Sequence, residues 1–323
     1  MAENILEIRD LVVEYHTDDA VIHAVNNVSL SVKRGETIGL VGETGAGKTT
    51  IARAIMRILQ TPPAKFCGGK IIFEDQDIME LTEKQMRRVR GDKIAMIFQD
   101  PMTALNPIEK VGFQISEAIG LHNEVTRIEA EKKACDMLEM VGIPAYRYKE
   151  YPLQFSGGMK QRVVIAMALA CNPILLLADE PTTALDVTIQ AQVLEMMQSL
   201  VEKLGTSVVM ITHDLGVVAD CCNSVAVVYA GEIVEYGSAD HIFNHPTHPY
   251  TVGLFNSLPR LNSKERRLKP IAGLMPDPTN LPKGCKFCER CPESMDKCSQ
   301  APPDTIEIAP GHLVKCYLAE VSV

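Results

Sequence analysis

The chain has 323 residues, of which 46% are hydrophobic and 23% are charged, and its formal net charge is −9. Such a balance is typical of a globular protein with ample core material, and the length permits two domains or one domain with an extension. The acidic charge argues against a nucleic-acid binder, which would normally carry a basic patch. No apolar run reaches the roughly 18 residues that a membrane-spanning helix needs. The first residues, MAEN, lack a basic-then-apolar signal segment, and this predicts a cytosolic protein.

Short β-type runs, separated by polar or glycine-containing turns, open the chain. The sequence predicts strands at Ile5–Ile8, Leu11–Tyr15, Val28–Val32 and Thr37–Val41. Tyr15 ends the second run. An aromatic residue here could stack on an adenine ring, and a half-exposed strand tyrosine is the alternative interpretation.

A glycine-rich loop follows the fourth strand and precedes a helical run from Ile51 to Leu59. The loop reads Gly42-Glu43-Thr44-Gly45-Ala46-Gly47-Lys48-Thr49-Thr50. Its glycines let successive N–H groups converge on phosphate oxygens at a helix N-terminus, which already favours negative charge. Lys48 would reach the β- and γ-phosphates, and the Thr49 hydroxyl would ligate Mg²⁺. The context of strand, loop and helix favours a nucleotide phosphate site over a chance glycine turn.

Further strands are predicted at Lys70–Phe73 and Ile94–Phe98, and the second of these ends at Gln99. The chain then becomes helical, which predicts a helical insertion. Helices are expected at Glu117–Leu121 and Thr126–Val141, and the second carries an apolar stripe of Ile128, Ala134, Met137, Leu138 and Val141.

Ser156, Gly157 and Gly158 precede a helical run that reaches Ala170. Serine suits an N-cap, and the glycines leave the first-turn N–H groups uncovered. This start of a helix is a second candidate for binding an anion, and a well-capped helix without a ligand is the alternative.

The run Ile174–Glu180 is an almost wholly apolar strand that ends in two carboxylates. A buried parallel strand ends this way when its acids face a site at the carboxyl edge of a sheet. Asp179 would hold Mg²⁺ through water, and Glu180 could polarise an attacking water molecule. A helix at Val187–Leu204 and a strand at Ser207–Thr212 follow, and the strand delivers His213 at its end. Val225–Tyr229 and Glu232–Tyr236 are predicted to form a hairpin.

With these motifs in order, residues 4–258 resemble the ATP-binding cassette (ABC) ATPases. The resemblance implies a P-loop NTPase of the ABC type, an α/β fold with a RecA-like core, an N-terminal antiparallel β subdomain and a helical subdomain at about 101–165. It implies that Tyr15 stacks on adenine and that Gln99 joins Mg²⁺ and the attacking water to a transmembrane partner. It also implies that Ser156, Gly157 and Gly158 bind the γ-phosphate held by an opposite subunit. Asp186 is then an interface aspartate, and His213 contacts the γ-phosphate.

Two such domains would sandwich two ATP molecules, each site combining the phosphate loop of one chain with the signature of the other. The family signature usually ends in glutamine, whereas this chain has Met159. The altered signature would lose a polar contact in the site that it completes, so the two ATP sites are expected to be unequal.

Within the family, three segments look like the D-type ATPases of dipeptide/oligopeptide and nickel importers: Gln99–Pro107, Phe155–Arg162 and His248–Thr251. That resemblance implies two membrane permease subunits, a second ATPase subunit of the F type as a heterodimer partner, and an extracytoplasmic peptide-binding protein acting indirectly. It places the chain peripherally at the cytoplasmic face of the cell membrane and implies no nucleic-acid partner. The implied function is ATP hydrolysis that drives peptide import.

A cysteine-rich extension is predicted at residues 259–323, after the cassette at 1–258. Ten cysteines are many for a cytosolic chain, and five of them lie between Cys285 and Cys316. A four-thiolate site would accept zinc or an iron–sulfur cluster. In the importer family, a C-x5-C-x6-C segment and a later cysteine look like the ligands of a [4Fe-4S] cluster, which assigns Cys285, Cys291, Cys298 and Cys316. Cys288 would be spare, although its spacing to Cys291 would also suit zinc, and unligated thiols or a disulfide remain open.

Two other functions fit parts of the sequence. One is a soluble cassette ATPase of DNA repair or translation, but such proteins usually carry paired cassettes or long coiled-coil insertions. The other is an electron carrier or redox sensor in which the cassette is a regulatory platform.

Overall fold

The structure is a computed structural model that describes residues 3–183, 185–257 and 270–321. Within it the chain forms two compact units. Unit 1 contains the start of the chain, Val32–Thr37 and Phe73–Ile211, and unit 2 contains Leu6–Ser31, Ile38–Ile72 and the chain from Thr212 onward. The predicted boundary between residues 258 and 259 lies outside the described residues, so the division into cassette and extension stays a prediction.

The strands are β1 Asn4–His16, β2 Val21–Lys33, β3 Thr37–Val41, β4 Ala64–Phe73, β5 Gln76–Asp77, β6 Ile94–Ile97, β7 Leu175–Asp179, β8 Ser207–Ile211, β9 Ser224–Tyr229, β10 Glu232–Ser238, β11 Ile306–Ala309 and β12 His312–Val314. The helices are α1 Lys48–Ile55, α2 Glu83–Val89, α3 Pro101–Ala104, α4 Val111–His122, α5 Arg127–Met140, α6 Gly157–Leu169, α7 Val187–Leu204, α8 Leu215–Cys221, α9 Ala239–Asn244, α10 Pro249–Asn256 and α11 Asp296–Gln300. Short 3-10 helices occur at Ala145–Lys149, Pro152–Gln154 and Ala319–Val321.

Unit 1 is built on three parallel strands and a group of helices. β7 pairs with β6 on one side and with β8 on the other, with Leu175 opposite Ile94 and Ser207. Every residue of β7 is buried, as expected for an inner parallel strand covered on both faces. The helices α4, α5 and α6 pack on one another, and α6 also packs on β6 and α7. This arrangement places the start of α6 and the end of β7 in the same unit.

Unit 2 contains most of the antiparallel β subdomain, in which β1 lies between β2 and β4. It also holds β3, which runs parallel to β9, with Val41 opposite Val227. β9 and β10 form an antiparallel hairpin whose turn residues, Ala230 and Gly231, have φ of 45° and 79°. Positive φ at both central residues is the geometry of a type I′ turn, which matches the twist of the flanking strands. β10 continues the pairing to β12, and β12 pairs with β11.

The predicted α/β class, the antiparallel β subdomain and most elements are confirmed. The first two predicted strands are wrong as separate elements, because β1 is continuous through Asp10, which has a φ of 49°. The apolar stripe predicted for α5 is wrong at Ile128, whose side chain is 80% exposed, whereas Ala134, Met137, Leu138 and Val141 are buried. Ile128 lies in the first turn of α5, where its side chain extends into solvent. No helix in the described ranges is both long and apolar enough to cross a membrane.

Candidate functional site

The phosphate loop in unit 2 has a backbone that only glycine tolerates at two positions. A Cβ on Gly42 would lie 2.1 Å from the Val228 carbonyl oxygen, and one on Gly47 would lie 2.4 Å from the Ala24 oxygen. Gly47 has a φ of 103° and is the N-cap of α1, so the helix begins at Lys48. The Lys48 ammonium donates to the carbonyl oxygens of Gly42 (2.7 Å) and Glu43 (3.0 Å). The lysine is thereby folded over its own loop, at the helix N-terminus that favours an anion.

Tyr15 also belongs to unit 2 and lies beside the first turn of α1. Its hydroxyl is 3.3 Å from the Thr50 hydroxyl, and the ring is partly exposed. His213 is exposed and immediately precedes Asp214, whose carboxylate caps α8 by accepting from the N–H groups of Gly216 and Val217. Tyr15 lies one residue before the end of β1, and His213 lies two residues after the end of β8, close to the strand ends that the sequence predicts.

The paired carboxylates in unit 1 differ in environment. Asp179 is the last residue of β7 and is only 2% exposed. Glu180 follows with a φ of 48°, an unusual conformation for a residue with a side chain, and its N–H donates to the Ile211 oxygen (2.8 Å). Left-handed strain at a non-glycine residue is often associated with a functional site.

Gln99 and Glu180, which are 81 residues apart, are brought into contact. The Gln99 amide donates to Glu180 Oε2 at 3.0 Å, and the Thr183 hydroxyl donates to the same oxygen at 2.9 Å. Two donors on one oxygen fix the orientation of the carboxylate. Thr183 was missed in the sequence, although a hydroxyl three residues after a candidate acid could have suggested it.

The glycine-containing helix start, also in unit 1, is capped as predicted. Ser156 is the N-cap of α6, and its hydroxyl accepts from the Met159 N–H at 3.4 Å. A Cβ on Gly158 would lie 2.6 Å from Ile189 Cγ2, so the second glycine is required by packing against α7. Asp186 is the N-cap residue of α7 without a side-chain cap bond, and it is exposed.

Met159 has a polar contact inside its own unit. Arg147 donates to the Met159 sulfur at 3.3 Å, and the same guanidinium stacks on the Phe155 ring and pairs with Glu150. The thioether is thus held by an arginine, an interaction that the sequence did not predict.

All five cysteines of the C-terminal cluster line one small pocket. Cys285, Cys288, Cys291, Cys298 and Cys316 face it together with His248 and Phe287. The backbone segments of Cys285 and Cys298 are in direct contact here, because the Cys285 N–H donates to the Cys298 oxygen at 2.8 Å. Burial raises the pKa of Cys285 to about 12 and that of Cys291 to about 11. All ten cysteines fall within the described ranges and are free thiols, so the disulfide alternative is not realised.

The clustered thiols can be compared with the ligand spacing of a mononuclear zinc site. Tetrahedral zinc with sulfurs at about 2.3 Å holds its thiolates about 3.8 Å apart. Within the described part of the chain, the one group of three or more candidate ligand atoms lying within 4.8 Å of one another is Glu14, His16 and Cys67. No three of the clustered thiols therefore already have the spacing of bound zinc, and all five converge on one pocket.

His248 supplies a second observation at the same pocket. Its side chain is fully buried, Nδ1 accepts from the Tyr250 N–H at 3.1 Å, and Nε2 has no partner among the described residues. Burial lowers the pKa of His248 to about 3, so the ring is neutral. Because Nδ1 accepts, the ring proton lies on Nε2, which is a donor suited to a sulfur acceptor. The motif containing His248 was noted in the sequence, but this role was not.

The segment that carries His248 is anchored by a buried carboxylate. Glu235 accepts from the N–H groups of Thr247 (2.8 Å) and His248 (3.0 Å) and from His312 Nε2 (2.8 Å). Glu235 and His312 are 1% and 2% exposed. One acid therefore connects β10, the start of α10 and β12, a role that the sequence did not reveal.

Two family models match the chain. One, described as "ABC transporter", covers residues 25–183, and the other, described as "Oligopeptide/dipeptide transporter, C-terminal region", covers residues 234–298. The second range contains His248 and four of the clustered cysteines. The phosphate loop, Gln99, the Ser156 signature and the paired carboxylates fall within the first range, whereas Tyr15, Asp186, His213 and Cys316 lie outside both.

Similar proteins extend over nearly the whole chain. The oligopeptide transport ATP-binding protein OppD of Bacillus subtilis is 50% identical, with 97% of this chain and 88% of the relative covered. The dipeptide transport ATP-binding protein DppD of the same organism is 47% identical, over 98% and 96%. A solved ATP-binding cassette, MJ0796, seen as a dimer with ADP and Pi, is 28% identical with a TM-score of 0.65, over 72% of this chain and 98% of that one.

Proposed function

The chain belongs to the family of ABC transporter ATP-binding proteins for oligopeptides and dipeptides, and from this premise we propose how its residues work. The protein is an ATPase that powers peptide import. The observation that carries the proposed chemistry is the contact of Gln99 with Glu180, which orients a carboxylate at the end of a buried strand.

In unit 2, the phosphate loop binds the phosphates of ATP. The N–H groups around Gly45 and Gly47 surround the phosphate oxygens, and the Lys48 ammonium moves from the loop carbonyls to the β- and γ-phosphates. Thr49 is a ligand for Mg²⁺, and Tyr15 stacks on adenine. The exposed His213 contacts the γ-phosphate. Gly42, Glu43, Thr44, Ala46 and Thr50 complete the loop.

In unit 1, Glu180 accepts a proton from the water that attacks the γ-phosphate. Gln99 and Thr183 hold the carboxylate by donating to Oε2. Asp179 and Gln99 would hold Mg²⁺, and the ion would neutralise charge on the transferred phosphoryl group.

The signature Ser156, Gly157 and Gly158 completes the ATP site of a second ATPase subunit, and Asp186 lies in that interface. The second subunit is of the F type. The two ATP sites are unequal, because this chain contributes Met159 to one of them. Two membrane permease subunits and an extracytoplasmic peptide-binding protein complete the importer. The chain then lies peripherally at the cytoplasmic face of the membrane.

The experiment that tests this function is uptake. Right-side-out vesicles containing the permeases and both ATPases, with the binding protein added outside, should accumulate a labelled peptide only with ATP enclosed and with wild-type Glu180. ATP hydrolysis without peptide accumulation in that assembly would contradict the import function. A soluble, non-transport role is not favoured, because the similar proteins are transport ATP-binding proteins.

We further propose that Cys285, Cys291, Cys298 and Cys316 hold a [4Fe-4S] cluster. Support comes from the five thiols around one pocket and from the buried Nε2 donor of His248, which lines the same pocket. The cluster would cross-link a segment with few apolar residues of its own. Anaerobically purified protein should contain iron and sulfide in equal amounts, and stoichiometric zinc without iron or sulfide would contradict the assignment.

A further inference from the structure

A second group of metal-binding side chains lies on the antiparallel sheet of unit 2, apart from the cysteine-rich segment. Its centre is Glu14 on β1, the strand between β2 and β4. His16 Nε2 lies 2.7 Å from Glu14 Oε2, and Cys67 Sγ on β4 lies 3.2 Å from the same oxygen. His23 Nδ1 on β2 lies 3.2 Å from the other carboxylate oxygen. Three neighbouring strands thus direct two imidazoles, a thiol and a carboxylate to one place.

The strand geometry explains the convergence. Successive side chains of a strand point to opposite faces, so Glu14 and His16 share a face and Tyr15 between them points to the other. The side chains of Glu14, His16 and His23 are 19%, 41% and 38% exposed, so an ion could reach them from solvent. The group is thus accessible without any opening of the core.

The spacing and the chemistry suit one type of ion. The ligand atoms of Glu14, His16 and Cys67 all lie within 4.8 Å of one another. A tetrahedral zinc ion with nitrogen and oxygen at about 2.0–2.2 Å and sulfur at about 2.3 Å holds its ligands about 3.3–3.8 Å apart. Small rotations of the side chains, which replace the hydrogen bonds by metal bonds, are therefore sufficient. Imidazole and thiolate ligands exclude Mg²⁺ and Ca²⁺, which prefer oxygen.

We propose that Glu14, His16 and Cys67, with His23 as the fourth ligand, form a site for a divalent transition-metal ion, with Zn²⁺ as the best match. The carboxylate and the thiolate together neutralise the two charges of the ion. A cation, Lys65, lies two residues before Cys67 on β4. The site uses none of the residues proposed for ATP hydrolysis or for the iron–sulfur cluster.

Binding would have a defined mechanical effect. The ion would join β1, β2 and β4 at the end of β1 that carries Tyr15. Since Tyr15 contacts Thr50 on the opposite face, the ion would fix the position of this aromatic ring beside α1.

The test compares full-length chains that differ at one residue, because the cysteines proposed as cluster ligands would also bind added metal. Zn²⁺ binding is measured by equilibrium dialysis, and Co²⁺ substitution reports a thiolate ligand through its sulfur-to-metal charge-transfer absorption. The variants are Cys67→Ser, His16→Ala and His23→Ala. The control is Cys135→Ser, a half-buried thiol of α5 in unit 1. Melting temperatures verify that each variant is folded.

We expect Cys67→Ser and His16→Ala to lose one equivalent of Zn²⁺ or to bind it about 10–100-fold more weakly. The loss of a residue that only supports a metal ligand already weakens metal binding by this factor, and these residues are ligands themselves. Cys67→Ser should also lose part of the cobalt charge-transfer band, and Cys135→Ser should not. Equal stoichiometry and equal affinity in wild type, Cys67→Ser and His16→Ala would overturn the proposal. A loss of zinc in Cys135→Ser as large as in Cys67→Ser would overturn it as well.

Discussion

Arg290 of the cysteine-rich segment forms a two-pronged ion pair with Glu43 of the phosphate loop, 247 residues earlier in the chain. Arg290 Nη1 lies 2.7 Å from Glu43 Oε2, and Nη2 lies 3.0 Å from Oε1. The guanidinium also donates to the Ala272 oxygen and the Tyr229 hydroxyl, and its side chain is only 6% exposed. Glu43 N–H in turn donates to the Tyr250 hydroxyl (2.9 Å). The C-terminal segment therefore holds one edge of the loop that binds phosphate.

Arg290→Met should destabilise the protein by about 1–3 kcal/mol, because it leaves the Glu43 carboxylate and other acceptors without their donor. It should also weaken ATP binding, since the phosphate loop loses a fixed contact. Chemical denaturation and nucleotide titration measure the two effects. Arg9→Met, which breaks the exposed pair with Glu7, is the matched control and should cost at most about 1 kcal/mol. Equal effects of the two variants would show that Arg290 does not position the loop.

Glu180→Gln should keep ATP binding and lower the rate of hydrolysis by about 100-fold or more, the usual contribution of a general base. The amide retains the size of the side chain but cannot accept the proton of the attacking water. Single-turnover hydrolysis and ATP affinity are compared with those of Glu195→Gln, an exposed position on α7. Unchanged turnover in Glu180→Gln would remove the residue from its proposed role.

Glu235→Ala should lower the free energy of unfolding by about 3 kcal/mol, because it leaves buried His312 and two backbone N–H groups without an acceptor. Glu129→Ala, which removes an exposed capping contact at the start of α5, should lower it much less. Denaturant unfolding of both variants gives the comparison. A loss no larger in Glu235→Ala than in the control would mean that this buried network contributes little.

Cys291→Ser should abolish the iron and sulfide of anaerobically purified protein, whereas Cys288→Ser should keep both. All five thiols line the pocket, so the structure does not choose between them, and the choice rests on the spacing that the family shows. Elemental analysis and visible absorption measure which cysteines are needed for the cluster. Loss of iron in Cys288→Ser with retention in Cys291→Ser would reverse the assignment of the ligands.

His248→Asn should keep the cap of α10, because asparagine is a good N-cap, while removing the Nε2 donor beside the thiols. Hydrogen bonds to sulfur are one of the factors that set the reduction potential of an iron–sulfur cluster. Donors stabilise the more negative reduced form, so the variant should have a lower potential at unchanged iron content. An unchanged potential would show that Nε2 does not donate to the cluster, and the iron content would report separately on the cluster itself.

The sequence by itself determined the elements whose cause is local. Glycines at 42 and 47 mark backbone that a side chain cannot enter, Ser156 caps α6, and the apolar run before Asp179 is a buried strand. Each of these follows from the sterics, capping or period of a few neighbouring residues. The predicted place of Ile128 in the apolar stripe is wrong, because periodicity shows which face of a helix is apolar but not where along the helix its contact with the core ends.

Only the tertiary structure decided which distant groups meet. The contacts of Arg290 with Glu43, of His312 with Glu235 and of Gln99 with Glu180 join residues 77 to 247 positions apart. No local pattern marks them, because the free energy of a buried ion pair or hydrogen bond depends on desolvation and on partners that folding brings together. For the same reason, the sequence shows the five cysteines only as a spaced series, whereas the tertiary structure brings them to one pocket that His248 also lines.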